Sequence, residues 1–299
     1  NDASLTWEKD SSLALGHGSR AANGVIVVTT KSGSANDKPQ VTLSFSAQFS
    51  SISFFPKFQT RFGSGSNGEF IPYENESWGP AYDGSMVKLG KPLEDGSQQE
   101  VPYAPIKNNR KKFFDTGVTL QTDLSYAAKN FYFSFQDAHI KGILPGDKNR
   151  RSGVRMNAAK EYKNFKISFG SNYIQHNYDI YNSEEMYQFY RSKNLGMHDG
   201  VMDMVFATQA HVPLKSYKDF RNNKWATYDN YYCEYSQNPY FVIDNWRTKG
   251  VRHELLTNAD LALKITDWLD INYRVALTYY SLNTKTKTKQ VTPSPWAEK

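Results

Sequence analysis

Leu269-Asp270-Ile271-Asn272-Tyr273-Arg274-Val275-Ala276-Leu277 places a large apolar residue at every odd position and Asp270, Asn272 and Arg274 between them. A period of two marks a strand with one apolar and one polar face. The run is preceded by Leu255–Ile265 and a short turn at Thr266-Asp267-Trp268, which makes an antiparallel hairpin. The same design occurs twice upstream. Val118–Tyr126 and Phe131–Gln136 are joined around Ala128-Lys129-Asn130, and Val154–Tyr162 and Phe165–Ile174 are joined at Lys163-Asn164. Val41–Phe49 alternates as well and adds a seventh strand.

Alternation fits two architectures. A soluble sandwich turns the apolar face inward, and a transmembrane β-barrel turns it to lipid. The connections favour the barrel. Short turns alternate with longer segments at about 50–113, 140–150 and 181–250, and outer-membrane barrels keep long loops on one side and short turns on the other. About nine to eleven tilted residues cross the hydrocarbon layer. On this reading Val118, Leu120, Leu124, Phe133, Ile167, Phe169, Leu261, Leu263, Ile271, Val275 and Leu277 face lipid. Gln121, Asp123, Lys166, Asn172, Asn258, Asp260, Asn272 and Arg274 face the lumen.

Composition is compatible with that fold. The 299 residues contain no apolar run of about 18 or more, which excludes a transmembrane helix but not a barrel. The mean hydropathy of −0.67 suits a chain with a polar lumen and polar loops. Aromatic residues make up 15% of the chain, and Tyr126, Tyr162 and Trp268 fall beside short turns, where an interfacial girdle belongs. The single cysteine, Cys233, cannot form an internal disulfide. The net charge of +6 is spread through loops and turns, without the stripe that nucleic-acid binding would need.

Enzymatic motifs are absent. Gly16–Gly24 lacks the Lys-Ser/Thr ending of a phosphate loop. His198, Asp199, Asp203 and His211 have no zinc-site spacing, so no metal is expected. Glu74 with Glu76, or Glu94 with Asp95, are sequence neighbours in loops, which does not establish glycosidase geometry. No cofactor is implied, and the chain reads as non-enzymatic. Ser183–Asn194 has the capping residue and apolar spacing of a helix.

The segment Gly18-Ser19-Arg20-Ala21-Ala22-Asn23-Gly24-Val25-Ile26-Val27-Val28-Thr29-Thr30-Lys31-Ser32-Gly33 resembles the end of the plug domain in the SusC/RagA family of TonB-dependent outer-membrane transporters. Downstream stretches resemble that family in the same order. They are Phe55-Pro56-Lys57-Phe58, Gly63–Gly68, Ser77-Trp78-Gly79-Pro80, Asp83-Gly84, Phe113–Gly117, Lys141–Gly146, His211-Val212-Pro213-Leu214, Asn238-Pro239-Tyr240 and Thr266–Leu269.

The resemblance implies an all-β fold, part of a 22-stranded barrel with a plugged lumen. Residues 1–33 would end the plug, 34–40 would be a linker, and 41–299 would begin the barrel, with long extracellular loops at about 50–113 and 181–250. On that expectation most of the plug, the TonB-contacting region and most of the barrel lie outside this chain. The implied function is TonB-dependent import of oligosaccharides or peptides across the bacterial outer membrane. The implied partners are a SusD-like lipoprotein lid and the TonB–ExbB–ExbD system. The rivals are a SusC-like scaffolding subunit and a soluble carbohydrate-binding protein.

Gly18, Ser19, Arg20, Asn23 and Gly24 are expected to be structural plug residues, with Arg20 near Asp123 or Asp260. Among the loop aromatics, Trp78, Tyr82, Tyr103, Trp225 and Tyr231 offer flat apolar faces with polar edges for substrate, or pack the loops together. Lys111, Lys112, Arg150 and Arg151 are expected at the outer leaflet, against lipopolysaccharide.

Overall fold

A computed structural model describes residues 3–8, 25–30, 38–183 and 200–287. β1 (Ala3–Glu8) pairs antiparallel with β2 (Val25–Thr30), and neither strand belongs to the main sheet. The main sheet starts with β3 (Gln40–Ser50). A long loop then carries four short strands: β4 (Gly65–Ser66), β5 (Glu69–Phe70), β6 (Met86–Leu89) and β7 (Gln99–Pro102). The sheet continues with β8 (Gly117–Ala128), β9 (Phe131–Lys141), β10 (Lys148–Tyr162) and β11 (Phe165–Tyr181). The second long loop holds α1 (Val201–Ala207) and α2 (Pro239–Asn245), and β12 (Arg247–Thr266) and β13 (Leu269–Lys287) complete the sheet. The seven strands are antiparallel neighbours in the order β13-β12-β11-β10-β9-β8-β3, as expected of an arc of barrel wall. Among the described residues no helix is long and apolar enough to cross a membrane.

The hairpin turns at Lys129-Asn130 and Lys163-Asn164 use left-handed backbone at Asn130 (φ 64°) and Lys163 (φ 46°). Such conformations match the turn to the twist of the flanking strands. Cross-strand partners share a face, so the register sorts the side chains. One face carries the row Leu43, Leu124, Phe135, Val154, Tyr173, Leu255 and Tyr279. Towards the short turns, the same face carries Phe131, Ala158, Phe169, Ala259 and Val275, and then Tyr162, Phe165, Leu263 and Ile271. All of the residues assigned to lipid from the sequence fall on this face, and all of those assigned to the lumen fall on the other. Along β10 the apolar band comprises Val154, Met156, Ala158 and Tyr162, about the span that crosses the hydrocarbon layer, with Lys160 interrupting it near the short turn. Two hydroxyls within it, Ser171 and Thr257, satisfy each other at 3.0 Å. Tyr162 and Trp268 are 69% and 83% exposed at the short-turn end.

The strands are longer than the alternation suggested. β12 begins at Arg247 rather than Leu255, and β10 at Lys148 rather than Val154. Apolar alternation stops where the apolar band stops, but the backbone ladder continues with polar side chains on both faces. Lys148, Arg150 and Arg151 therefore lie within β10, and Arg247, Lys249 and Arg252 within β12. Ser183 is helical, and the rest of the helix expected over 183–194 lies outside the described residues.

Candidate functional site

The described residues of the two long loops, expected at about 50–113 and 181–250, pack together into a cap at one end of the wall, through 51–116 and 200–246. Phe113, Val205, Val212, Leu214, Tyr217, Tyr232 and Ile243 form its buried core with residues from both segments. Side-chain amides tie the two segments. Asn109 Nδ2 donates to Val212 O at 2.6 Å, and Ile106 N donates to Ala210 O at 2.8 Å. Gln209 Nε2 donates to Asn75 O, while its Oε1 accepts from Ser77 Oγ at 2.8 Å. Tyr217 Oη donates to Gln99 Oε1 at 2.6 Å. Asn109 and Gln209 are buried, so their bonds also remove a desolvation penalty of roughly 1–3 kcal/mol that an unpaired group would carry.

Local sequence explains two anchors. Asn238-Pro239 opens α2, with Asn238 Oδ1 accepting from Tyr240 N at 3.0 Å and proline in the first turn. Asn238 Nδ2 meanwhile reaches Tyr217 O at 2.9 Å and Ala226 O at 2.8 Å. At Gly63-Ser64-Gly65 the backbone passes too close for side chains. A Cβ on Gly79 would lie 2.1 Å from Ser64 O, and one on Gly63 would lie 2.5 Å from Tyr103 Oη.

The aromatic candidates do not form one surface. Trp78 is 73% exposed. Tyr103 is 2% exposed and donates to Pro80 O at 2.8 Å. Tyr82 packs on Tyr103 with ring centroids 4.7 Å apart, and both rings border His211. Burial raises the Tyr82 hydroxyl to about 12 and lowers the His211 imidazole to about 4. Tyr231 sits in the core between Tyr217 and Tyr232. Trp225 is half-buried, with the Lys224 ammonium 4.5 Å from its ring centre. Glu74 accepts from Asn75 N and Glu76 N, and Asp95 accepts from Ser97 N and from Lys224 Nζ at 3.3 Å.

Below the cap, the inner face of the wall is polar and internally hydrogen-bonded. Asp123 accepts from Gln121 Nε2 at 2.8 Å and from Gln136 Nε2 at 2.6 Å, and Arg151 Nη2 donates to Gln136 Oε1 at 2.9 Å. Asp260 accepts from Asn258 and Arg274. With Ser44, Arg155 and Asn172, the first group lines an open concavity. Sequence reasoning missed Gln136, Arg155 and Asn109, although their alternation or motif context was visible. Gly18, Ser19, Arg20, Asn23 and Gly24 lie outside the described residues, as do His198 and Asp199.

Lys111 and Lys112 are exposed in a single 3-10 turn ending at Phe113. Arg150 and Arg151 are strand neighbours and point to opposite faces. Arg150 binds Asp137 on the apolar side, while Arg151 binds Gln136 on the polar side, so the two do not share a surface.

No family model matches the chain. The TonB-dependent receptor SusC of Bacteroides thetaiotaomicron is 41% identical over 75 residues, which make up 25% of this chain and 7% of SusC. A chain in the structure of the RagAB peptide importer in its closed-closed state superposes with a TM-score of 0.62 at 16% identity. That match covers 96% of this chain and 33% of the solved one, so the chain spans about a third of the length of that relative. The second likeness concerns fold alone. Together they bear out the SusC/RagA resemblance, the antiparallel β-barrel wall and the bacterial outer membrane as its location.

Proposed function

We propose that the chain forms part of a SusC-like barrel that imports oligosaccharides or peptides across the outer membrane by a TonB-dependent route. It would work beneath a SusD-like lipoprotein lid, and would bind and release cargo without covalent chemistry. The observation that carries this reading is the two-sided wall. One face is apolar over a membrane-crossing length, the other is a hydrogen-bonded polar surface, and a single end is closed by ordered loops. The named relatives, a TonB-dependent receptor and a peptide importer, support transport rather than catalysis.

Within this reading, residues 1–33 end the plug, 34–40 link it to the wall, and 41–299 begin the barrel. That β2 pairs with β1 and stays out of the seven-stranded sheet supports the division. Among the five aromatic candidates Trp78 is the most exposed, and Arg155 and Asn172 offer polar contacts along the inner wall.

The test compares uptake of labelled oligosaccharide and peptide mixtures by cells with the intact gene, without it, and with TonB inactivated. Uptake of one cargo class should vanish in both deficient strains. Equal uptake in all three would overturn the proposal. Co-purification of a lipoprotein lid without any uptake would point instead to a scaffolding role.

A further inference from the structure

At the cap end of the wall, one cross-strand row on the apolar side reads Phe49, Val118, Lys141, Lys148, Asp179, Lys249 and Lys285. Lys141 lies directly opposite Lys148, and Lys249 directly opposite Lys285. Like charges in such positions are destabilising unless something of opposite charge sits between them. The acids nearby do not suffice. Asp179 is shared between Lys249 at 3.2 Å and Arg247 at 2.9 Å, and Asp115 between Lys141 at 3.4 Å, Lys218 at 3.7 Å and Lys215 at 3.9 Å. Lys148 makes no ion pair among the described residues, although Asp179 lies opposite it on β11. The next row toward the membrane adds Arg150 and His139.

The same height on the other face carries no charge. That row is Gln48, Thr119, Ile140, Asn149, Tyr178, Gly250 and Thr284. The next inner row toward the membrane does carry Arg151, His176 and Arg252, so what singles out the outward surface is the pair of lysine–lysine oppositions. The lysine row is six residues beyond the top apolar row along β10, about 20 Å along the strand and roughly 14 Å along the membrane normal for a strand tilted near 45°. An open groove lies at this height, lined by Val118 and Leu120 together with His139, Lys141, Lys148, Arg150 and Asp179.

We propose that this collar binds the phosphate groups of the outer-leaflet lipid, lipopolysaccharide, with an acyl chain lying along Val118 and Leu120. The inference rests on the membrane-barrel reading and narrows the expected contact set. Arg150 belongs to it and Arg151 does not, and Lys148, Lys249 and Lys285 join it. Phosphate oxygens accept several charge-assisted hydrogen bonds at once and would relieve the lysine–lysine oppositions.

The test uses the full-length protein extracted from its own membrane, comparing the wild type with Lys148→Gln/Lys249→Gln/Lys285→Gln. Retained lipopolysaccharide is quantified after detergent purification, and thermal stability is read with added lipopolysaccharide, its dephosphorylated form or inorganic phosphate. The triple variant should retain roughly tenfold less lipid or lower. Only phosphorylated lipopolysaccharide should stabilise the wild type strongly. The corresponding Lys→Arg triple should retain lipid, and inner-face Arg151→Gln/Arg155→Gln should leave retention unchanged. Equal retention in the glutamine triple, equal loss in the inner-face variant, or equal stabilisation by inorganic phosphate would overturn the assignment. Detergent-dependent extraction of every variant keeps the barrel reading intact whichever way the lipid result falls.

Discussion

Arg247 holds Asp179 twice, by Nε to Oδ1 at 2.9 Å and by Nη2 to the Asp179 backbone oxygen at 2.7 Å. The remaining guanidinium hydrogens go to Asp147 Oδ1, Ile243 O and Gly146 O. All five donors of the side chain are thereby used. One residue at the start of β12 fastens the end of β11, the β9–β10 connection and the end of α2. It is 6% exposed.

Breaking a buried pair leaves its partner uncompensated, at a cost of roughly 3–5 kcal/mol. Arg247→Ala should therefore loosen the cap, raising protease cleavage within 182–246 and lowering the temperature of heat-modified gel migration. Arg247→Lys should recover little, because an ammonium cannot reproduce the planar fork. Unchanged cleavage in the alanine variant would mean that the hub is dispensable.

Gly79 and Gly96 should respond very differently to alanine. A Cβ at Gly79 meets backbone at 2.1 Å, whereas one at Gly96 meets nothing within 4 Å and bears only its positive φ of 77°. Gly96→Ala should cost about 1 kcal/mol. Gly79→Ala should cost several times more and expose the 63–80 loop to proteolysis. Similar effects at both positions would refute the close packing at Ser64.

The two faces of β13 can be told apart by labelling. Cys233 is buried and its thiol is pushed up to about 12, so background reactivity is low. In membranes, Asn272→Cys should react with a water-soluble thiol reagent and Ile271→Cys should not. Val275→Arg, near mid-depth on the apolar face, should cost roughly 2–4 kcal/mol of stability, and Ala276→Arg far less. A reversed labelling pattern would invert the whole wall.

His211 gives the cap a pH dependence. Burial lowers its folded value from 6.5 to about 4, so the unfolded chain takes up a proton first as the pH falls. Its contribution to stability is intact above about 6.5, declines between 6.5 and 4, and levels off below. The full loss is roughly 3 kcal/mol. Wild type minus His211→Phe, followed by proteolysis of the cap from pH 7.5 to 4, isolates this effect. A difference that stays flat over that range would show that His211 does not titrate in the fold.

The wall was legible in the sequence because one physical rule governs it. The alternation in Leu269–Leu277 identifies the strand and assigns its faces together. The strand ends were not legible, since Arg247–Glu254 pairs as regularly as Leu255–Ile265 without the apolar signal. Ending the strands early also hid the opposition of Arg150 and Arg151, which the same period of two dictates. In the loops no period exists. Nothing local distinguishes Trp78, which stands in solvent, from Tyr103, which is enclosed by Gly63 and Pro80. That difference is set by partners up to about a hundred residues away.

The bonds between the two loop segments have a consequence for assembly. Asn109 and Val212 are 103 residues apart in sequence, and Gln209 and Asn75 are 134 apart. Closing such distances is slow while the hairpins form locally, so the cap is the last part to come together. Its halves spring from β3–β8 and from β11–β12, with β9 and β10 between them. A slip of two residues in any intervening pair displaces the halves by roughly 7 Å, beyond the reach of these amides. The cap thus acts as a proofreading latch, one that shuts only over a correctly aligned wall.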